Sequence, residues 1–393
     1  MKGIQKVIDI VQNESPILQL IELGITPEQI KEDVIDKLGR FFVNKDKLIK
    51  YSTANLVSDW IHFGKYRNDD FFISILIQSL EMYRTAMNCN SNVCVEIITS
   101  LLNEHAESDN RLWSFLLTQN DKNEFDFHEY VETVINDIGR IIEGLSKSVL
   151  IEFLCMNKLV NGKVVEIQSV MKQDLGVINS ELLLDASFVD IFSIRGLKLS
   201  DWRNIAYHHS YRIKGENVWC EYGSKQNRKT IILAKEELWE TLQSVVKTLD
   251  LLNLTHKLFL CDNEDSILLT NCDFELVDSE IRPEIWFITL ASSISAQGFK
   301  IIDFITNKEC TKLVLRELII ESDAETRAFH SSQFTYNLWY YSLSEKLEVE
   351  YRLPNNQVYL ISSTTSEVCE KVEDEEKGIE YLAEHIELNF IEY

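Results

Sequence analysis

The distribution of proline is the feature that most constrains the fold of this 393-residue chain. Proline occurs only at Pro16, Pro27, Pro283 and Pro354, so residues 28–282 contain none. Proline interrupts helices because it lacks an amide hydrogen and its ring collides with the preceding turn. The gap therefore predicts long helices through the first two thirds of the chain.

Apolar residues recur at helical spacing throughout this region. Thr26 and Pro27 form a favourable helix start, with threonine as the cap and proline at the first helical position. The ranges with helical spacing are 71–82, 93–102, 130–159, 163–184 and 236–254. Several helices of this length predict a helical bundle.

The pattern changes in the last third of the chain. Residues 346–353 and 357–362 alternate apolar and polar side chains on either side of Pro354-Asn355-Asn356, which predicts a β-hairpin. Further strands are expected at 284–290 and 312–320, a small hairpin at 213–233, and an acidic helix at 373–388. The predicted fold class is mainly α with a C-terminal α+β part.

The length of the chain predicts more than one domain. We expect a helical N-terminal domain at 1–126, a central helical bundle with a small hairpin at 127–262, and an α+β domain at 263–393. Residues 263–265, Asn-Glu-Asp, and residues 281–283, Ile-Arg-Pro, bracket the expected linker.

The formal net charge of −24 argues against a protein that coats nucleic acid through bulk positive charge. One segment, 195–235, is nevertheless basic and carries a formal charge of +6. Its cations are Arg195, Lys198, Arg203, Arg212, Lys214, Lys225, Arg228, Lys229 and Lys235, against Asp201, Glu216 and Glu221. This basic segment is either a solvated surface or a phosphate-binding surface.

The sequence predicts no cofactor and no metal site. Its eight cysteines include no Cys-x-x-Cys pair, and no Cys/His set has zinc spacing, so free thiols in a reducing compartment are expected. Phosphate-loop, His-Glu-x-x-His and Gly-x-Ser-x-Gly motifs are lacking. The N-terminus has no signal-like apolar segment, and no apolar run reaches the length of a membrane span, which predicts a cytoplasmic protein without membrane contact.

Residues 203–211, Arg-Asn-Ile-Ala-Tyr-His-His-Ser-Tyr, concentrate the groups that could do chemistry. Asn204 and His208 are four residues apart and share a helix face. Arg203 lies beside them with a planar cation that fits phosphate, and histidine exchanges protons near neutral pH. The pattern favours phosphodiester chemistry without a metal, although cationic residues also simply stabilise helix C-termini.

This segment resembles the motif of the HEPN superfamily of helical ribonucleases, in which arginine and a polar residue precede histidine by a short spacer. Arg203, Asn204 and His208 match Arg-Asn-x-x-x-His. The family's His-x-Tyr variant fits only His209-Ser210-Tyr211, so either His208 or His209 could be the essential histidine. The resemblance covers about 127–262 and implies a HEPN-like bundle.

The resemblance further implies a metal-independent endoribonuclease. Arg203, Asn204, His208 and His209 would be catalytic, and RNA would contact Tyr211, Arg212, Lys214, Arg228 and Lys229. The partners implied are RNA, with tRNA among the targets, a second copy in a homodimer, and an antitoxin or phage protein as trigger. Such proteins act as toxins or in antiviral defence; the alternative is a HEPN-like binding or sensor module without catalysis.

Overall fold

The computed structural model describes residues 2–117, 125–224, 226–270, 281–320, 323–340, 342, 344–373 and 379–391. Within these ranges the chain is mainly helical, with a mixed β-sheet near its C-terminal end. The coarse fold class is therefore as the sequence predicted. None of the helices in the described ranges is both long and apolar enough to cross a membrane.

Helices make up most of residues 2–117. They are α1 (Lys2–Glu14), α2 (Pro16–Glu22), α3 (Pro27–Leu38), α4 (Lys45–Tyr51), α5 (Leu56–Gly64), α6 (Asp70–Cys89), α7 (Ser91–Ser100) and α8 (Leu102–Leu117), with a 3₁₀ turn at Gly39–Phe41. The predicted cap before α3 is present, because Thr26 and Gln29 hydrogen-bond reciprocally to each other's backbone amides. The helices expected at 71–82 and 93–102 are confirmed as α6 and α7.

Residues 125–270 contain helices around a small antiparallel sheet. The helices are α9 (Phe127–Arg140), α10 (Lys147–Val160), α11 (Ile167–Met171), α12 (Leu175–Leu182), α13 (Val189–Phe192), α14 (Leu199–Tyr207) and α15 (Lys235–Thr270), with a 3₁₀ turn at Ala186–Phe188. The strands are β1 (Ser193–Ile194), β2 (Leu197–Lys198), β3 (Tyr211–Lys214), β4 (Asn217–Ser224) and β5 (Asn227–Leu233). Strands β3, β4 and β5 form a three-stranded sheet where the sequence predicted a simple hairpin.

Three predicted helical segments differ in detail from those observed. The helix expected at 130–159 is α9 and α10 joined by a π-helical turn at Ile141–Leu145. The block expected at 163–184 is two short helices, α11 and α12. The helix expected at 236–254 extends to Thr270 as α15, with a kink at Asn263, so the predicted linker does not begin there. Residues 271–280 of that linker lie outside the described residues.

The remaining elements alternate between helix and strand. They are α16 (Pro283–Ala296), β6 (Phe299–Thr306), β7 (Cys310–Glu317), α17 (Ala324–Ser332), α18 (Phe334–Tyr340), β8 (Lys346–Arg352), β9 (Val358–Thr365), α19 (Ser366–Glu373), α20 (Ile379–His385) and β10 (Glu387–Phe390). The sheet order is β10-β9-β8-β7-β6, and only the β7–β8 pairing is parallel.

The C-terminal predictions have mixed outcomes. The β8–β9 hairpin and the strand at β7 are confirmed. The strand predicted at 284–290 is wrong, because these residues belong to α16, whose apolar side chains follow neither a clear helical stripe nor an alternation. Strand β6 was not predicted, and a register shift at Ile301/Asp303 breaks its alternation. Of the helix predicted at 373–388, residues 374–378 lie outside the described residues, Ile379–His385 form α20 as predicted, and the end was wrong because Glu387–Phe390 form β10.

The chain divides into two compact units that cross the predicted domain boundaries. The terminal unit contains residues 1–40, 45–61 and 282–393, and the central unit contains 41–44 and 62–281. In the terminal unit α1 packs against α16 and β6, which explains why the first helices group with the C-terminal sheet. A division into three domains in sequence order would assign α1 to a different domain from α16 and β6.

The core of the central unit is built from α6, α9, α10 and α15, with α14 packed on α9. Phe153 of α10 is fully buried, and its ring contacts those of Tyr83, Phe188 and Phe192. Asp262 of α15 accepts hydrogen bonds from the Val43 and Asn44 amides and pairs with Arg84. These contacts show why residues 41–44 belong to the central unit.

Candidate functional site

Helix α14 carries the Arg-Asn-x-x-x-His segment on a firmly anchored backbone. Leu199, Trp202, Ile205 and Ala206 are buried at helical spacing along one side. The Trp202 indole nitrogen donates a hydrogen bond of 3.0 Å to the Ile194 carbonyl. Because the apolar side faces the core, Asn204, Tyr207 and His208 are left on the surface.

Close packing of α9 against the buried side of α14 also holds this helix in place. A Cβ atom placed on the buried Gly139 would lie 2.6 Å from the Ala206 Cβ atom, closer than carbon atoms can approach. Glycine at 139 and alanine at 206 therefore allow the two helices to touch. The position of Arg203 and Asn204 depends on this contact.

The helix continues far enough to align Asn204 with His208. The His208 amide donates a hydrogen bond of 3.0 Å to the Asn204 carbonyl, which is an ordinary helical bond. The two exposed side chains therefore lie one turn apart on the same face, as their spacing predicted. No hydrogen bond to the His208 ring is found among the described residues.

His209 terminates the helix in a left-handed conformation. Its φ angle is +47°, its amide donates to the Ala206 carbonyl, and the next amide, Ser210, donates to the Ile205 carbonyl. This pair of bonds is a Schellman motif, in which the left-handed position is usually glycine. The turn separates His209 from the Asn204–His208 face and brings its ring within 6.4 Å of the Tyr211 ring centroid.

Arg203 is held by neighbours on two sides. Its Nε atom donates to the Glu143 carboxylate at 2.8 Å, and its Nη1 atom donates to the Asn204 side-chain oxygen at 3.0 Å. The guanidinium carbon lies 5.6 Å from the Tyr207 ring centroid. The side chain remains 33% exposed, and no hydrogen bond donated by Nη2 is found within the described ranges. The Arg203 side chain is thus oriented by its neighbours, and part of its guanidinium remains accessible to solvent.

Glu143 reaches Arg203 from the π-helical turn between α9 and α10. The Ser146 amide and hydroxyl both bond to the Ile141 carbonyl, which widens the helix by one residue at this point. Such π turns are frequent at functional sites because they redirect a side chain out of the regular helix register. Glu143 also lines a surface pocket of about 390 Å³ whose other charged residues include Glu104, Arg111 and Lys147.

The residues expected to contact RNA divide between the two faces of the small sheet. The strand register places Arg212, Lys214 and Arg228 on the face that carries Trp219. Tyr211 and Lys229 belong to the opposite face, where burial, together with the Glu132 carboxylate, raises the pKa of Tyr211. Of the five residues expected to contact RNA, the structure therefore brings Arg212, Lys214 and Arg228 together on one face.

Acidic neighbours offset much of the charge of the basic segment. Arg212 and Arg228 both pair with Glu221 on the strand between them. Arg195 pairs with Glu237 and Glu240, which lie beyond the segment in sequence.

Lys214 differs from these arginines, because its ammonium group lies 4.2 Å from the Trp219 ring centroid. Lys225 is outside the described residues, and the +6 sum over the sequence overstates the charge in space.

Sequence reasoning missed a buried cluster in the helical core of the central unit. His105 of α8 and His256 of α15 each contact one oxygen of Glu152 of α10, at 2.7 and 2.9 Å. The imidazole centroids are 4.4 Å apart. The three residues are far apart in sequence, so no motif spacing could have indicated them.

The electrostatics of this His105–Glu152–His256 cluster are dominated by burial and by mutual attraction. Glu152 is fully buried and each histidine side chain is 13% exposed. Burial disfavours the Glu152 carboxylate, but the two histidines outweigh it and lower its pKa. Burial also opposes protonation of His105, yet the hydrogen bond and charge of Glu152 raise its pKa. Burial, together with the charge and hydrogen bond of Glu152, raises the pKa of Tyr83 well above its ordinary value.

Comparisons with known proteins gave no match to any protein family, curated protein or solved structure. The functional argument therefore depends on the residues and geometry of this chain.

Proposed function

We propose that the central unit is a HEPN-type endoribonuclease that cleaves RNA without a metal. The observation that carries the proposal is the arrangement at the end of α14. Arg203, Asn204 and His208 lie together on an exposed surface, while Trp202, Ala206 and the Schellman turn hold their backbone in place. A phosphate-binding cation beside a proton-transferring imidazole is what metal-free phosphodiester cleavage needs.

The chemistry proposed is attack by a ribose 2′-oxygen on the adjacent phosphorus. That bond forms as the bond from phosphorus to the 5′-oxygen of the next nucleotide breaks, which leaves a 2′,3′-cyclic phosphate and a 5′-hydroxyl. The 2′-hydroxyl loses one proton and the leaving oxygen gains one, so a base and an acid are required. His208 performs this proton exchange and Arg203 stabilises the negative phosphoryl oxygens.

Asn204 has two functions in this scheme. Its side-chain oxygen accepts from Arg203, which holds the guanidinium toward the surface. Its amide group points along the same helix face as His208 and supplies hydrogen-bond donors for a phosphate oxygen. Glu143 completes the orientation of Arg203 from the opposite side.

RNA approaches across the small sheet in this proposal. Arg212, Lys214 and Arg228 lie on the face of the half-buried Trp219, and cations beside an aromatic ring suit single-stranded nucleic acid. Because Glu221 offsets two of these cations, the surface supplies modest and salt-sensitive affinity. Tyr211 and Lys229 contribute only from the other face.

A homodimer completes the site. One chain contributes one Arg203–His208 set, and a two-fold axis through the central unit would place a second set opposite it. One imidazole then accepts the 2′-hydroxyl proton while the other protonates the leaving oxygen. We further propose a toxin or antiviral-defence role in the cytoplasm, with tRNA among the substrates and an antitoxin or phage protein as the trigger.

The central test is cleavage of total RNA and tRNA by the purified full chain in excess EDTA. We expect Arg203→Ala and His208→Ala to reduce cleavage by about 10²–10³-fold while leaving the circular dichroism spectrum unchanged. Arg195→Ala removes another salt-bridged arginine of the central unit, and His385→Ala another exposed histidine at a helix end. These two controls should retain full activity; equal activity in all four variants would refute the proposal.

The oligomeric state tests the shared site. Light scattering should give twice the mass of one chain, and an excess of His208→Ala chains should suppress cleavage by the unaltered chain, because a mixed dimer keeps only one of the two imidazoles. A monomer that cleaves RNA at high dilution would contradict this arrangement.

One observation favours a binding module without catalysis. Arg203 is already engaged by Glu143 and Asn204, as a structural arginine would be. With a net charge of −24, such a module would recognise a protein rather than RNA. In that case the chain would leave RNA intact in EDTA and in Mg²⁺, and Arg203→Ala would weaken capture of the protein partner.

A further inference from the structure

The His105–Glu152–His256 cluster joins three helices of the central unit through one carboxylate. His105 comes from α8, Glu152 from α10 and His256 from α15. The cluster brings together two imidazole nitrogens and a carboxylate, which are ordinary ligands of transition metals. Helical bundles commonly build metal sites in this way, from side chains that project inward from facing helices.

We propose that His105, Glu152 and His256 bind one divalent transition-metal ion, with Zn²⁺ as the ion that the ligand set favours. The site is independent of the Arg203–His208 surface and of the cleavage chemistry proposed for it. Its role is to fasten α8, α10 and α15 to one another.

The geometry is close to that of a metal site. The His105 Nε2 and His256 Nδ1 atoms lie 2.7 and 2.9 Å from the two Glu152 oxygens. Around a tetrahedral zinc ion, with bonds of roughly 2.0–2.2 Å, neighbouring ligand atoms are separated by about 3.3 Å. The two nitrogen–oxygen distances are thus about half an ångström shorter than that separation, and the three ligand atoms all lie within 4.8 Å of one another.

Charge gives a physical reason for an ion here. Glu152 is fully buried, and an ionised carboxylate in that position must be compensated. Its hydrogen-bonding neighbours include Tyr83 and the two histidines, and His105 and His256 need protons on the facing nitrogens to donate. A divalent ion replaces these two protons and neutralises the carboxylate directly.

The ligand set also selects among ions. Mg²⁺ and Ca²⁺ prefer oxygen ligands, whereas two imidazoles and one carboxylate suit zinc and its neighbours in the first transition row. Three protein ligands leave a fourth position for water. Each histidine side chain is 13% exposed, so the cluster retains access to solvent.

The neighbourhood of the cluster is consistent with an accessible ion. Ser108 follows His105 by three residues on α8, and Ser148 precedes Glu152 by four residues on α10. Their hydroxyls are 3.1 Å apart, and both line the pocket of about 390 Å³. This pocket thus opens to solvent about one helical turn from two of the three ligands.

The test is metal binding by the full chain after EDTA treatment and removal of the chelator. Titration calorimetry with Zn²⁺ alone should give one site per chain, and Mg²⁺ alone should give none. Co²⁺ as a spectroscopic probe should develop visible absorption bands from nitrogen and oxygen ligands. His105→Gln and His256→Gln should each weaken Zn²⁺ binding by at least about tenfold.

Matched controls keep the result interpretable. His385→Gln removes an exposed histidine from the terminal unit and should bind Zn²⁺ as the unaltered chain does. Circular dichroism will report whether each variant folds. If a variant at 105 or 256 fails to fold, the unaltered chain decides alone, because Zn²⁺ should raise its Tm and Mg²⁺ should not.

Two outcomes would overturn the proposal. One is no Zn²⁺ binding and no rise in Tm for the unaltered chain. The other is binding that persists at equal affinity in folded His105→Gln and His256→Gln, which would assign the ion to another part of the chain. One Zn²⁺ per chain, lost in both variants and kept in His385→Gln, establishes the site. Neither result depends on RNA cleavage.

Discussion

The Nε atom of Arg203 donates a hydrogen bond of 2.8 Å to the carboxylate of Glu143, sixty residues earlier in the chain. Glu143 belongs to the π-helical turn between α9 and α10, and Arg203 to the exposed end of α14. The pair therefore connects an irregularity in one helix to the motif on another. In the proposed nuclease it orients the arginine and also competes with phosphate for it.

Removing the charge of Glu143 should strengthen RNA binding. Glu143→Gln keeps an acceptor for Arg203 but removes the anion, so a phosphate no longer displaces a partly exposed ion pair worth up to about 1 kcal/mol. We expect affinity for a single-stranded RNA to rise about two- to five-fold. Fluorescence anisotropy in an inactive His208→Ala background measures this without cleavage.

Glu240→Gln is the matched control for that experiment, because Glu240 pairs with Arg195 of the same unit. It should leave RNA affinity unchanged. Unchanged affinity in Glu143→Gln as well would show that Arg203 does not contact phosphate.

Replacing His209 should separate backbone strain from histidine chemistry. His209 holds φ at +47°, where a side chain costs about 1–2 kcal/mol and glycine costs almost nothing. We expect His209→Gly to be about 1 kcal/mol more stable to urea than His209→Ala, since both lack the ring and only alanine keeps the strain.

RNA cleavage by the same two variants identifies the essential histidine. If His208 exchanges the proton, both position-209 variants remain active while His208→Ala does not. Loss of activity in His209→Ala and His209→Gly would instead support the His-x-Tyr register of 209–211.

Enlarging Gly139 should disturb the motif helix. An alanine there would place its Cβ atom 2.6 Å from the Ala206 Cβ atom, so α14 must move or the protein loses about 1–3 kcal/mol of stability.

Gly176 is the matched control, because it is exposed in α12 with no atom near its missing Cβ, so an added methyl group should not destabilise the protein. Gly176→Ala should gain about 0.4–1 kcal/mol. Urea denaturation of both variants measures the contrast, and equal effects would contradict the close packing.

His62 should make the protein less stable in mild acid. Burial, aided by Lys257, lowers its pKa from 6.5 to about 4. The unfolded chain then binds the proton first, so this contribution is present above pH 6.5 and is lost as the pH falls toward 4, by up to about 3 kcal/mol. His62→Gln should flatten this part of the urea-midpoint profile, whereas His385→Gln should not. An equally steep acid limb in His62→Gln would exclude this role.

His105 should act in the opposite direction. Its raised pKa means that the folded protein holds a proton more tightly than the unfolded chain does. That stabilisation is fully present below pH 6.5 and is lost as the pH rises through the higher folded pKa. In metal-free buffer, His105→Gln should remove the alkaline decline in the urea midpoint. If the alkaline decline persisted unchanged in His105→Gln, Glu152 would not be stabilising a proton on His105.

Local patterns predicted much of the secondary structure. The proline gap and apolar spacing indicated α6, α7, α9, α10 and α15, and alternation indicated the β8–β9 hairpin. The strand prediction for residues 284–290 was wrong because a helix with apolar side chains on all sides has the same sequence pattern as a buried strand. Strand β6 was missed because a bulge interrupts its alternation.

By itself the sequence determined that Asn204 and His208 share a helix face with Arg203 beside them, because helical geometry fixes neighbours three and four residues apart. Only the tertiary structure decided that His209 turns away, that Glu143 holds Arg203, and that the basic residues of the sheet divide between two faces. It alone brought together His105, Glu152 and His256. Such contacts join residues that are distant in sequence. They are determined by how whole helices pack together, which no local sequence pattern predicts.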